Sequence, residues 1–422
     1  LVPRVAGAAA LGTVGVYAGQ AAQYRRNAAT AFDLPDPAGP GTPAFARWVE
    51  AACAAPQRPE NSVTALRNGD EVLSAMLDVI TGATSTIAFS NYIFWPGPTA
   101  AGFADALADR ARAGVDVSVL LDAWGSTAKN RDLVAGMKQA GVNFAWFRPP
   151  HWYQLQRFNY RMHRRILVAD GATAFTGGFG IAEEWVGDAQ DARHWRDTHL
   201  RIEGVAARDV LGAFMENWSE ATHRSLSAAH LPELRRKEGT ALVQISRSSP
   251  GHGQATAEAL FLAAVQGARR RLWITTAYFA PRSAVVHALE EAARRGVDVR
   301  LLVNGCHTDK ELVRRAGQRS YTDLLEAGVR VFEYRRTMMH AKVILVDDKW
   351  SNVGTSNWDN RSLALQEEIN CSVTDAGVAA TLEKHFDQDF DDADEILAPR
   401  WKARPVVDRA YELVGGAVRH SL

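Results

Sequence analysis

Met339 to Asp347 reads MHAKVILVD, and Met162 to Asp170 reads MHRRILVAD. Both stretches carry a histidine, a basic residue two positions on and an aspartate after an apolar run. These are His340, Lys342 and Asp347 in one, and His163, Arg165 and Asp170 at the same spacing in the other. Val343 to Val346 reads as a strand. Side chains on a strand alternate between faces, so His340 and Lys342 point the same way. Asp347 follows at the strand end, where it can turn back or cap a neighbouring loop. The match does not stand alone. Thr86 to Phe94 (TIAFSNYIF) pairs with Arg271 to Phe279 (RLWITTAYF), and Ala111 to Asp122 (ARAGVDVSVLLD) with Ala293 to Asn304 (ARRGVDVRLLVN). Ala140-Gly141-Val142 pairs with Ala327-Gly328-Val329. In chain order the offsets are 185, 182, 187 and 177, a run that argues for internal duplication.

Each copy shows the same pattern. A helix with apolar residues at helical spacing (Glu71 to Thr81; Gln254 to Ala268) precedes a β-rich run. A second helix follows (Gly102 to Ala113; Ser283 to Arg295). It stops at Gly114 or Gly296, where a C-terminal glycine belongs. A buried-type strand comes next, VDVSVLL or VDVRLLV. Alternating strands and helices predict an α/β fold with a mostly parallel or mixed sheet and helices on both faces. The expected divisions are an N-terminal segment over 1–45, a first domain over 57–228, a second over 236–398 and a tail over 399–422. The polar run Ser225 to Gly239 supplies the linker between the two domains.

The chain has 422 residues, 47% of them apolar and 23% charged, which is ordinary globular composition. Lys+Arg and Asp+Glu both total 48, so net charge is zero, which disfavours a protein living mainly on nucleic-acid phosphates. Cys53, Cys306 and Cys371 are far apart and form neither a disulfide framework nor a zinc spacing. Leu1-Val2-Pro3-Arg4 resembles a protease-cleavage tag. Val5 to Gly19 is small and apolar and reads as the end of a membrane anchor or signal segment, or as a short Ala/Gly helix. Asp33 to Pro43 is a Pro/Gly linker.

Downstream of the second motif lie Gly354-Thr355-Ser356-Asn357 and Glu367-Glu368. Downstream of the first lie Gly177-Gly178-Phe179-Gly180 and Trp195-Arg196-Asp197. These residue types suit phosphodiester chemistry, which needs positioning and charge neutralisation above all. Lys342 and Arg165 can hold non-bridging oxygens, and Asn357 and Thr355 add neutral donors. One histidine can attack phosphorus while the other protonates the leaving alkoxide. Asp197 and Glu368 are suitable to orient one imidazole each. No metal or other cofactor is expected, because the cations are side chains.

The HxKxxxxD pattern with a G-S/T-x-N sequel, present twice, resembles the phospholipase D superfamily over about residues 60–398. Within it the chain is most similar to bacterial cardiolipin synthases, through Gly178 to Trp185 (GFGIAEEW), Trp195 to Arg201 (WRDTHLR), Asn304 to Asp309 before Arg315 to Tyr321, and Asn357 to Ser362 (NWDNRS). The resemblance implies two similar α/β sandwich halves related by a pseudo-two-fold axis, with one active site at their interface. It implies His163, Arg165, Asp170, His340, Lys342 and Asp347 as catalytic residues. Gly178, Asp197, Thr355, Asn357 and Glu368 are then phosphate-binding or orienting. It also implies a phosphatidyltransferase that joins two phosphatidylglycerols through a phospho-histidine, with His163 as nucleophile. Asp197 is expected to orient His163, and Glu368 to orient His340. The implied partners are phosphatidylglycerol and a membrane surface, in a bacterial cytoplasmic membrane, with no nucleic acid. Hydrolysis of phospholipid headgroups uses the same intermediate and stays open, as do a nuclease and a non-catalytic scaffold. Two departures bear on this. Arg165 stands where the family usually has Lys, in a chain with only 8 Lys among 48 basic residues, and Gly180 stands where the second copy has Asn357. Trp146, Phe147, Trp152, Tyr153 and Phe158, with Arg157, Arg161, Arg164 and Arg165 among them, are expected either to form a membrane- or headgroup-facing rim or to be core and solvated surface.

Overall fold

A computed structural model describes residues 34–126, 130–150, 160–233, 239–249 and 256–404. Val5 to Gly19 therefore lies outside the described residues, as do His151, Trp152, Tyr153, Arg157 and Phe158. The strands of the first half are β1 (Arg58–Arg67), β2 (Thr86–Asn91), β3 (Asp116–Asp122), β4 (Asn143–Phe147), β5 (Ile166–Ala169), β6 (Thr173–Gly177) and β7 (Thr198–Glu203). Those of the second are β8 (Ala241–Ser248), β9 (Arg271–Thr275), β10 (Phe279–Ala280), β11 (Asp298–Asn304), β12 (Arg330–Tyr334), β13 (Val343–Val346), β14 (Trp350–Gly354), β15 (Trp358–Asp359), β16 (Glu368–Thr374) and β17 (Ala393–Glu395). The helices are α1 (Pro43–Cys53), α2 (Asn68–Gly82), α3 (Pro98–Arg112), α4 (Arg131–Gln139), α5 (Ala207–Thr222), α6 (Thr256–Gly267), α7 (Ser283–Arg294), α8 (Glu311–Gln318), α9 (Tyr321–Ala327), α10 (Asn360–Leu365), α11 (Ala376–Asp391) and α12 (Ala398–Lys402).

Fifteen strands join in one mixed sheet, ordered β17-β12-β11-β9-β13-β14-β16-β8-β1-β7-β6-β5-β2-β3-β4. From the centre outward the two halves repeat one another: β1-β7-β6-β5-β2-β3-β4 answers β8-β16-β14-β13-β9-β11-β12. In each half the outer trio runs parallel (β2, β3, β4; β9, β11, β12), while β5 and β13 turn antiparallel against it. This is the mixed sheet that the repeat predicted. The halves also share it, through an antiparallel pairing of β1 with β8.

The helix stops follow their glycines. Gly114 and Gly296 adopt φ of +90° and +89°, a region open to glycine at little cost. At both ends a Schellman pair closes the helix, Val115 N to Arg110 O with Gly114 N to Ala111 O, and Val297 N to Ala292 O with Gly296 N to Ala293 O. On one face of the sheet, α2 and α3 bury Val72, Met76, Phe103 and Leu107 over the first half. On the corresponding face of the second half, α6 and α7 bury Leu260, Phe261, Val285 and Leu289. The opposite face is common to both halves. There α5 (Phe214, Trp218) and α11 (Leu382, Phe386) enclose one continuous core of β-strand side chains from each. Helix α1 precedes the first half in sequence, yet buries Phe45, Val49 and Cys53 in the second half's core. Among the described residues no helix is long and apolar enough to cross a membrane.

Candidate functional site

Two isolated bridges stitch the motifs across the interface. Met162 pairs with Glu367, and Arg196 pairs with Met339. His163 N donates to Glu367 O at 2.9 Å, and His340 N donates to Arg196 O at 2.7 Å. Each histidine is thereby hung on the segment that leads into β16 or β7 of the other half, next to the carboxylate that follows there. His163 Nδ1 lies 3.0 and 3.1 Å from the two oxygens of Glu368. His340 Nδ1 lies 2.8 Å from Asp197 Oδ2. This corrects the sequence-based pairing of Asp197 with His163 and Glu368 with His340. The carboxylates cross, because the bridges set each one beside the opposite half's motif.

Both carboxylates are fully buried and held from several sides. Asp197 also accepts from Trp185 Nε1 at 2.8 Å and from the Thr198 amide at 2.8 Å. Glu368 accepts from the hydroxyls of Thr355 and Ser362. Burial pushes both acids up, but the hydrogen bonds from the imidazoles and from these donors, with Lys342 also near Asp197, hold them below the ordinary carboxylate range. Gly178 makes room for this arrangement: a Cβ there would stand 2.0 Å from Asp197 Oδ1. Gly180 has a similar cause, since a Cβ would come within 2.9 Å of the Trp185 ring. The indole fills the space that an asparagine amide at this position would need, and its N–H serves Asp197 instead.

The histidines line one cavity of about 490 Å³, together with Arg165, Asn357, Tyr92 and Tyr278. Arg165 Nη2 donates to His163 Nε2 at 3.1 Å, which leaves Nδ1–H for Glu368 and marks His163 as neutral. Lys342 is buried and donates to His340 O. Burial, with Arg165 adding, pushes His163 down to about 4 against the pull of Glu368. Burial and Lys342 push His340 to about 3 against Asp197. Burial lowers Lys342 to about 7 and lowers Arg165 as well, in both cases against the nearby carboxylates. Arg165 Nε is buried without a hydrogen-bond partner among the described residues, a donor that a phosphate oxygen in the cavity would satisfy.

Asp170 and Asp347 are not brought to this cavity. Asp170 accepts the amides of Thr84, Ser85 and Thr86, and Asp347 those of Arg270 and Arg271. At roughly 3.3 Å per residue an extended strand carries them far from the histidines. Both sit at left-handed φ, +49° and +50°, turning back to clamp the start of β2 or β9. The basic rim also needs correction. Arg161 is buried on Asp122, and Arg164 on Glu216, Ser249 and backbone carbonyls, because they belong to the interior of the interface. Phe147 is in the core, and Trp146 is half-buried.

Sequence reasoning missed several residues. Asp122 Oδ2 accepts the Met162 amide and Asn304 Oδ1 the Met339 amide, so the last residue of each repeated VDV strand fixes the motif. The aligned ends of ARAGVDVSVLLD and ARRGVDVRLLVN carried that signal. Tyr92 meets the His163 ring edge-on at 5.3 Å, and Trp185 meets His340 at 5.1 Å. Asp309 accepts from Tyr278 Oη at 2.8 Å, and Asp359 and Arg361 complete the wall.

A family model described as cardiolipin synthase, PLD-like domain, matches residues 76–191 and 261–390. The chain is 32% identical over 357 residues to the probable cardiolipin synthase YwiE of Bacillus subtilis (strain 168), covering 84% of this chain and 71% of that protein. It is 36% identical over 337 residues to cardiolipin synthase A of Pseudomonas aeruginosa (strain LESB58), covering 79% and 68%. The phosphatidylserine synthase of Haemophilus influenzae Rd KW20 shares the fold, with a TM-score of 0.65 at 14% identity over 90% of this chain and all of that one. By the matched domain and these relatives, the chain belongs to the cardiolipin synthase family of phospholipase D-like proteins.

Proposed function

We propose that the chain is a phosphatidyltransferase that joins two phosphatidylglycerols into cardiolipin and releases glycerol. The observation that carries this is the pair of imidazoles facing one cavity, each on its own buried carboxylate, with Arg165 in the cavity wall and Lys342 buried on the His340 carbonyl. His163 Nε2, unprotonated beneath Arg165, attacks phosphorus. The N–P bond forms as the P–O bond to glycerol breaks, and His340 delivers the proton that the alkoxide takes up. Arg165 turns from Nε2 to the non-bridging oxygens, with Lys342 and Asn357 supporting them. The incoming phosphate charge raises both imidazoles, so His340 can hold its proton for delivery. The hydroxyl of the second phosphatidylglycerol then gives its proton to His340 and attacks phosphorus, and the N–P bond breaks. Asp170 and Asp347 contribute by bracing the strands. The proposed lipid substrate supports a membrane surface as the site of action, which the proposal takes to be the bacterial cytoplasmic membrane. The test is incubation with phosphatidylglycerol vesicles and identification of the products by mass spectrometry. Cardiolipin with free glycerol is expected, and an acid-quenched phosphatidyl adduct on the His163 peptide. Phosphatidic acid alone would make it a hydrolase, and an adduct on the His340 peptide would exchange the histidine roles.

A further inference from the structure

The cavity wall at β15 and the residue before it contains a group that phosphate binding does not explain. Asn357 and Asp359 both line the cavity. Trp358 between them turns the other way, stacking on Phe261 at 5.0 Å in the second half's core. Asp359 is 5% exposed, and its Oδ1 accepts the Ser362 amide at 2.7 Å. Its other oxygen takes no hydrogen bond among the described residues. Asn357 Oδ1 is buried and likewise without a partner. Acceptor oxygens that face the cavity without a donor call for a ligand group that donates.

The phosphodiester itself offers only acceptors, which the proposed mechanism gives to Arg165 and Lys342. Donors come from the rest of the polar headgroup. On the phosphatidylglycerol reading, which this inference rests on, both the departing and the arriving alcohols carry glycerol hydroxyls. A hydroxyl next to the reacting oxygen can donate to a carboxylate in the same cavity wall as the phosphate-binding amide. We propose that Asp359, with the amide oxygen of Asn357, is the specificity-determining receptor for the neighbouring hydroxyl of the glycerol headgroup, selecting polyols over simple alcohols as phosphatidyl acceptors. Burial, with Glu368 nearby, pushes Asp359 up to about 7 against the Ser362 hydrogen bond, and a further donor to its carboxylate would favour the ionised, accepting form. A site built to pair a hydroxyl rejects an analogue that lacks it, because the buried acceptor is then left unpaired.

The test is acceptor choice. The protein is given vesicles of phosphatidylglycerol with labelled glycerol or labelled 1-propanol, and transfer to each is measured. Transfer forms the P–O bond to the added alcohol, and the original glycerol leaves with that alcohol's proton. The unmodified chain is expected to favour glycerol by about tenfold or more. Asp359→Asn keeps an oxygen for the Ser362 amide, so the turn is preserved. It should keep 1-propanol transfer within about threefold while the glycerol preference falls towards unity. Asp359→Ser, a second variant able to cap, should do the same. The ratio is internal to each preparation, so partial misfolding does not alter it. An unchanged preference in both variants overturns the proposal, because Asp359 is then only a cap. Equal loss of both transfers with an unchanged melting temperature also overturns it. A preference that shifts for aminoethanol and not for glycerol assigns the carboxylate to a cation and overturns it too. Phosphatidic acid as the sole product of the unmodified chain, with no transfer to any alcohol, is a different result: it removes the transferase reading beneath the proposal.

Discussion

Gly178 shows how little freedom the site leaves to a single residue. The missing side chain admits Asp197 Oδ1 where a Cβ would stand 2.0 Å away. Asp197 in turn positions His340 through a 2.8 Å hydrogen bond. Gly178→Ala must therefore move the carboxylate, and a displacement of about 1 Å at a catalytic group can cost on the order of 10²-fold. The variant should fold, lose activity by about that factor, and show it mainly in kcat. Steady-state kinetics on phosphatidylglycerol vesicles, beside a thermal melt, measure both. Activity within about twofold of the parent would mean that Asp197 does not depend on this gap. Arg165 is the gentler case. It keeps the charge that the family usually obtains from Lys, and its planar guanidinium reaches both His163 Nε2 and His163 O.

At the scale of elements, the interface depends on α11. Its Asp389 is buried and bonds Arg67 at the end of β1 and Arg196, whose carbonyl holds the His340 amide. Asp389→Ala would strand two guanidinium groups, both largely out of water, and removing one partner from a buried ion pair costs about 3–5 kcal/mol. Guanidinium denaturation should show a lower midpoint with an unchanged slope. A loss below about 1 kcal/mol would show that water takes the place of the carboxylate. Much of this architecture was legible in the sequence. The VDVSVLL and VDVRLLV strands became β3 and β11, each after a glycine-stopped helix, because hydrophobic period and helix ends are local properties. The motif histidines were legible for the same reason. The crossing of Asp197 and Glu368 was not, because it depends on bridges between segments far apart in the chain. Nor was the burial of Arg161 and Arg164: a run of arginines reads as surface until Asp122 and Glu216 arrive from elsewhere. Helix α1 was missed because the sequence before the first half gives no sign that it packs on the second.

For the whole molecule, stability should depend on pH through its buried imidazoles. Burial is the leading cause of the lowering of His163 to about 4, and of His340 and His199 to about 3. Between about pH 4 and 6.5 the unfolded chain binds protons that the folded chain refuses, so stability rises with pH across that window and is lost as pH falls. Asp359 opposes this, since its folded carboxyl keeps a proton up to about 7 while an unfolded one releases it near 4. His230 and His385 are lowered as well, and the five imidazoles outweigh the raised carboxyls of Asp359 and Asp387, so the denaturation midpoint should climb from about pH 4.5 to about pH 7, and more steeply in Asp359→Asn. A flat or falling profile would mean that the histidines are charged in the folded state. The crossed carboxylates also bear on inheritance. A duplicated gene ordinarily frees one copy to decay while the other keeps the work. Here each motif leans on an acid encoded in the opposite repeat, so the loss of that acid from one repeat disables the histidine of the other. The first repeat can drift at Arg165 or Gly180, where charge survives or an indole takes the space. It cannot drift at Asp197, because the loss would fall on His340 in the other repeat.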